Sequence, residues 1–318
     1  MNEKILKTVD FQKILQKLSS HGSTSLGKER AEQLRPCVSL VEVKNRLQAT
    51  DEAYLVERLK GSVPFGGIRD IKGAVHRARI GGILNAAELL DIANTLNGGR
   101  RLKKFLLAIA ENHSIGLLKG LCSNLSEHKA LEDDILSCID DQAEIMDNAS
   151  VDLSRIRKEL KTGESKVRER LDQMIRTPSI QKMLQDNLIT IRNDRYVIPV
   201  KQEYRASFGG IIHDQSASGA TVFIEPEAIV TLNNKLRELK MKEEREIEKV
   251  LQILTSKVEE AADLLVANVE ILAELDFIFA KAGLAQEMKA TLPIMNDRGF
   301  IKLKKGRHPL ISGNPVPL

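Results

Sequence analysis

Two narrow apolar stripes constrain most strongly what this chain can fold into. The first runs through Leu153, Ile156, Leu160, Val167, Leu171 and Met174, stepping by three, four or seven residues, with Gly163 at one of the intervening seam positions. The second begins at Ile229, Leu232, Leu236 and Leu239 and weakens through "KMKEEREIEK". It resumes at Ile247, Leu251, Leu254, Val258, Ala261, Leu265, Val269, Leu272 and Leu275. Charged residues fill the positions between. So narrow a stripe is the seam of a coiled coil rather than the face of a core helix, and it needs a partner seam. Two seams so close in sequence are expected to pair antiparallel. If continuous to about Gln286, the second helix would have about 60 residues and span about 90 Å.

The segment joining the stripes has a different composition. "LITIRNDRYVIPVK" reads as two strands around a turn at Asn193-Asp194. "GGIIHD" and "ATVFIEP" read as two more around the polar loop "QSASG". Pro226 then stands where a helix can start, since its missing N–H costs nothing there. The expected fold is mainly α: a helical bundle plus a long antiparallel coiled-coil arm with a small four-stranded antiparallel β unit at its tip. The expected boundaries are 1–149 for the bundle, 150–185 for the outgoing helix, 186–226 for the β unit, 227–288 for the returning helix and 289–318 for a further segment.

Within the bundle, Ser39 with Glu42 matches a capping box, Asn85 with Glu88 caps a further helix, Gly61 terminates a helix, and Ser150 can cap the outgoing one. The word "FGGI" occurs at Phe65 and again at Phe208, between unlike flanks. It reads as coincidence rather than as a repeat.

Composition narrows the partners. The chain has no tryptophan and 3% aromatic residues, which disfavours stacking platforms for single strands. Cys37, Cys122 and Cys138 are too few and too scattered for a disulfide framework or a zinc site, and read as reduced thiols of a cytoplasmic protein. No apolar run approaches the roughly 20 residues needed to span a bilayer. The acidic pairs around 127–147 lack the spacing of a calcium loop. His21, His76, His113 and His128 are scattered and read as non-catalytic.

Net charge, +4, decides little, but its distribution matters. The stretch 127–147 is acidic, and cations then predominate from Arg155 to Lys182. Arg192, Arg195, Lys201, Arg205 and His213 are the cations of the β unit, with Arg176 and Lys182 leading into it. Ser216 and Ser218 add hydroxyls in an exposed loop. Such groups on one face would bind phosphates without regard to base sequence. Segment 186–226 also holds five acids against four Arg and Lys, so ordinary solvated charge is the alternative. A second basic cluster, Lys302, Lys304, Lys305, Arg307 and His308, lies near the end.

The order of bundle, "DNASVDLSRIRKEL", small sheet, long returning helix and "IMNDRGFIKLKKGRHPLI" resembles the MutS family. The words "IRNDRYVIPVKQEYRASFGGIIHDQSASGATVFIEP" resemble one branch, the bacterial paralogue of the second type that carries a C-terminal Smr nuclease domain. The resemblance covers essentially the whole chain. It implies core and lever domains for the helices, a clamp for the β unit, and the start of an ATPase domain at 289–318. It also implies a parent that is an ATPase and endonuclease, dimerises, embraces branched or duplex DNA or a ribosome, and restrains recombination or rescues collided ribosomes. No G-x-x-x-x-G-K-[ST] motif occurs here. The chain is therefore expected to be an N-terminal piece with no catalytic site or cofactor of its own, ATP and Mg²⁺ belonging to the missing domain. A rival expectation is a protein-interaction or dimerisation arm without nucleic-acid contact.

Overall fold

The structure, a computed structural model, describes residues 6, 8–304 and 306–311. In chain order, a first run of helices comprises α1 (Phe11–Ser20), α2 (Ser25–Glu32), α3 (Leu40–Lys60), α4 (Lys72–Arg79), α5 (Ala86–Ala110), α6 (Gly116–Ser123) and α7 (Lys129–Cys138). Helix α8 (Val151–Ile175) and a short turn of helix, α9 (Pro178–Gln181), lead to strands β1 (Thr190–Arg192) and β2 (Arg195–Lys201). A short helix α10 (Arg205–Phe208), strands β3 (Ile211–Gln215) and β4 (Thr221–Glu225), and helices α11 (Glu227–Glu260) and α12 (Ala262–Glu287) follow. The fold class is thus mainly α with one four-stranded antiparallel sheet, in the order β1-β2-β4-β3. The chain divides into two compact units, one formed by 1–144 with 253–318 and the other by 145–252.

The first unit is a helical bundle. Its α5 starts with a complete capping box: the Glu88 N–H donates to Asn85 Oδ1 at 3.0 Å, and the Asn85 N–H to Glu88 Oε2 at 3.1 Å. At α3 only half the box forms. Ser39 Oγ accepts the Glu42 N–H, while the Glu42 carboxylate is taken by the Cys37 thiol and Arg46. Gly61 ends α3 at φ 77°, as its freedom from a Cβ allows. The two "FGGI" words fold differently. Phe65 is buried edge-to-face against Phe279, whereas Phe208 ends α10 before the left-handed Gly209 and Gly210.

The returning helix is not continuous to Gln286. It breaks at Ala261, where ψ is 2°, and α12 continues separately. The burial pattern changes across the break. Through α12 the buried residues include Leu265, Val269, Leu272, Leu275, Phe277, Ile278, Ala280 and Leu284, which cover most of the circumference. That is a core helix, packed against α2, α3 and α4, rather than a two-helix seam.

On α12, Lys281 lies with its ammonium 4.6 Å from the Phe277 ring. Burial, with Arg46 nearby and against the pull of Glu274, lowers its pKa to about 8. Between about pH 8 and 10.5 the unfolded chain therefore binds more protons at this site than the folded one. Stability contributed here rises with pH across that window. Urea unfolding at pH 7.5, 9 and 10 is expected to show a rise that is smaller in Lys281→Met; equal slopes would refute the assignment.

The second unit pairs α8 with the first part of α11. Ser150 caps α8, its Oγ accepting the Leu153 N–H at 3.0 Å. The seam is built from Ile156, Leu160, Val167 and Leu171 against Ile229, Leu236 and Leu239, and Leu153 is buried at the start of α8. Ile175 takes the last buried place and Met174 is only partly covered. A Cβ on Gly163 would come within 2.7 Å of Leu236 Cδ2, so glycine seats that leucine. The β1–β2 hairpin turns through Asn193 and Asp194, at φ 50° and 59°. That is the primed turn that matches strand twist, and Asn and Asp tolerate it.

Candidate nucleic-acid interface

The sheet sorts the candidate cations by its two ends. At one end β2 stops at Lys201, paired in register with Thr221. Chain from before the sheet is tied here too: Leu184 bridges Val200, and the Lys201 N–H donates to Met183 O at 2.9 Å. Lys201 Nζ then donates to Lys182 O at 3.2 Å. The polar loop closes over the same end. The Ser216 N–H donates to Thr221 O at 2.9 Å, the Gly219 N–H to Ser216 O at 2.8 Å, and the Gln202 N–H to Ala220 O at 3.0 Å. Ser216 Oγ accepts the Thr221 N–H at 3.0 Å and lies 3.4 Å from Ser218 Oγ. Gly219, at φ 72°, makes the turn possible.

Lys182, Lys201, Ser216 and Ser218 therefore share one end of the sheet, and Arg205 opens α10 four residues after Lys201. Arg176 follows α8 and leads through α9 to Lys182. Among the described residues, none of Arg176, Lys182, Lys201 and Arg205 makes an ion pair, and Arg176, Lys182 and Arg205 are exposed.

The other end lies about 20 Å away, the length of seven-residue β2. There Asp194 sits 3.5 Å from Lys240 on α11. Arg192, Arg195 and His213 are held by acids, of which Asp214 lies in register with Phe223 and Pro199, two residues from Lys201. Glu225 is fully buried, and its Oε1 accepts from Arg195 Nη1 at 2.9 Å and from Asn233 Nδ2 at 2.8 Å. Its Oε2 lies 2.5 Å from His213 Nε2. Asn233 also accepts the Tyr196 N–H at 3.3 Å and donates to Tyr196 O at 3.0 Å, which pins β2 to α11. Register irregularity between Ile212 and Asp214 sets His213 off the regular pairing of β3 with β4. Arg192 lies over the Phe223 ring, 4.2 Å from its centroid, with Nε 3.1 Å from Asp214. Arg192, Arg195 and His213 thus join a different cluster from Lys182, Lys201 and Arg205.

Sequence reasoning missed Glu225 and Asn233 as organisers of the unit. The one available signal was Asn233 itself, a polar residue four places from Ile229 beside the apolar seam. Of the terminal basic cluster, Lys302 and Lys304 are exposed, and Arg307 donates to the Met288 and Lys289 carbonyls, satisfying the end of α12. Lys305 lies outside the described residues.

Among the described residues no three His, Cys, Asp or Glu side chains converge to hold a metal. No described helix is long and apolar enough to cross a membrane. No disulfide joins Cys37, Cys122 and Cys138 to one another among the described residues.

No family model matches the chain. It is 53% identical over 311 residues to the endonuclease MutS2 of Brevibacillus brevis, a match covering 98% of this chain and 40% of that protein. It is 52% identical over 317 residues to the endonuclease MutS2 of a Geobacillus species, and 49% identical over 317 residues to the putative endonuclease MutS2 of Bacillus subtilis. Each of these two matches covers 99% of this chain and 40% of the relative. The chain thus spans about two fifths of the length of the relatives it matches. With about half its residues identical across almost its whole length, the chain belongs to the MutS2 family.

Proposed function

We propose that the second unit is the lever and clamp of a MutS-type ATPase, and that it grips a nucleic-acid backbone without reading bases. The observation that carries this reading is the end of the sheet built from Lys182, Lys201, the Ser216–Gly219 loop and the start of α10. Its cations have no acidic partner among the described residues, and the loop adds hydroxyls to the same end. Such groups suit phosphate oxygens, which supply affinity independent of sequence. Arg176 extends the surface toward α8. Arg192, Arg195 and His213 are held by Asp214 and Glu225, so on this reading they shape the clamp rather than touch the ligand.

In the whole protein, two such clamps in a cytoplasmic homodimer would close on branched or duplex DNA or on a ribosome. That action would restrain recombination or rescue collided ribosomes. The names of the relatives support an endonuclease activity for the parent. ATP and Mg²⁺ belong to this proposal through the parent's ATPase domain.

Exposed Leu188, Ile191, Ile211 and Ile212 favour a second reading, a protein-contact surface. One experiment separates the two: titration of the chain with duplex DNA, a four-way junction and purified ribosomes across a salt series. Lys182→Glu/Lys201→Glu/Arg205→Glu is expected to weaken polyanion binding at least tenfold. It should also flatten the salt dependence by about 0.9 in slope per lost phosphate contact on duplex DNA. Arg192→Glu should weaken binding less. Binding unchanged by the triple reversal, or no binding to any of the three at low salt, would sink the clamp reading and leave the protein surface.

A further inference from the structure

One flank of the α8–α11 pair carries a groove of about 380 Å³ that the clamp reading does not use. Its floor is apolar: Leu232, Leu236 and Leu239 reach it from α11, and Gly163 offers no side chain from α8. The Thr162 hydroxyl is turned to its own helix, donating to Lys158 O at 2.9 Å, which leaves its methyl to the groove. The rim is cationic. Arg155, Lys158, Lys166 and Lys235 border it against the single acid Glu159. Arg155 pairs with Asp152, and Lys235 stands 3.6 Å from Glu238. Lys158 and Lys166 make no ion pair among the described residues.

From Arg155 to Lys166 the groove follows about 16 Å of helix, three turns. A two-helix seam is open along both flanks, and a third helix laid into one flank is a common way to cover it. We infer that this groove docks an acidic amphipathic helix of another protein, with apolar residues at i, i+3, i+4 and i+7 on the floor and carboxylates along both rims. The charge of the rim selects acid over base. The apolar floor selects a helix over nucleic acid, because it offers bases nothing to hydrogen-bond and phosphates no contact beyond the rim. Gly163 serves twice: it seats Leu236 in the seam and keeps the groove open.

The test uses fluorescence anisotropy with a labelled 14-residue helical peptide, leucine at those positions and glutamate on both flanks. A lysine-flanked version, a scrambled version and a duplex DNA serve as comparisons. The acidic peptide is expected to bind at least tenfold more tightly than the lysine-flanked or scrambled one. Lys158→Glu/Lys166→Glu, on exposed positions, is expected to reverse the order of the two flanked peptides. Thr162→Trp, also exposed, should reduce acidic-peptide binding at least tenfold with the circular dichroism and melting curve unchanged. Equal binding of the three peptides, or acidic-peptide binding insensitive to both variants, would overturn the assignment. So would duplex DNA that displaces the peptide and is itself lost through the double reversal, since the flank would then be a nucleic-acid face.

Discussion

Replacing Asp276 by alanine is expected to remove about 3–5 kcal/mol from the helical unit, because it strips the acceptor from buried donors. Asp276 is fully buried in α12. Its Oδ1 accepts the Ser23 N–H at 2.9 Å, and its Oδ2 accepts the Thr24 N–H at 2.8 Å and the Thr24 hydroxyl at 2.6 Å. Thr24 Oγ1 in turn accepts the Gly27 N–H at 3.2 Å. One carboxylate from a distant helix thus completes the N-terminus of α2, where negative charge is also favoured by the helix dipole. Charge-assisted bonds of this kind are stronger than neutral ones, and alanine would leave the two backbone donors without a partner. Asp276→Asn, which keeps the shape but turns one acceptor into a donor, should fall between. Guanidinium unfolding followed by circular dichroism measures both. A loss under about 1 kcal/mol for Asp276→Ala would mean that water replaces the carboxylate without cost.

The second large effect is expected at Glu225. Glu225→Ala should destabilise the β unit by about 3–5 kcal/mol, the cost of leaving a mostly buried cation without its counter-charge. Arg195, His213 and Asn233 all converge on this carboxylate, and Asn233 ties β2 to α11. The loss should be local. Amide hydrogen exchange is expected to speed up in β2 and β4 while α5 and α12 keep their protection. Glu225→Gln should lose less, since its amide oxygen still accepts from Arg195. Unchanged exchange in the sheet would show that the apolar contacts of Ile198, Val200, Val222 and Ile224 hold it alone.

Much of the fold was legible because its signals are local. The seam residues of α8 recur at helical spacing, so burial of Leu153 through Leu171 follows from the pattern itself. Asn193-Asp194 names a left-handed turn by residue type, and Asn85 with Glu88 names a helix start. The break at Ala261 was hidden because Leu265, Leu272 and Leu275 continue the seam spacing even after the helix has become buried around most of its circumference. Periodicity reports one face of a helix and is silent on whether the others are covered as well.

The candidate site was legible only as an inventory. The sequence by itself determined a mainly helical chain with paired seams, a four-stranded insertion and a set of cations near it, all properties of neighbouring residues. Only the tertiary structure decided which cations meet acids. Arg195 and His213 reach Glu225 through strand register and the irregularity in β3, and Arg192 reaches Asp214 over Phe223. Lys182, Lys201 and Arg205 come out at an end where, among the described residues, they make no ion pair, although Glu203 lies between two of them in the chain. The physical reason is that charge pairing depends on distances of a few ångströms between residues far apart in the chain, which composition and spacing do not contain.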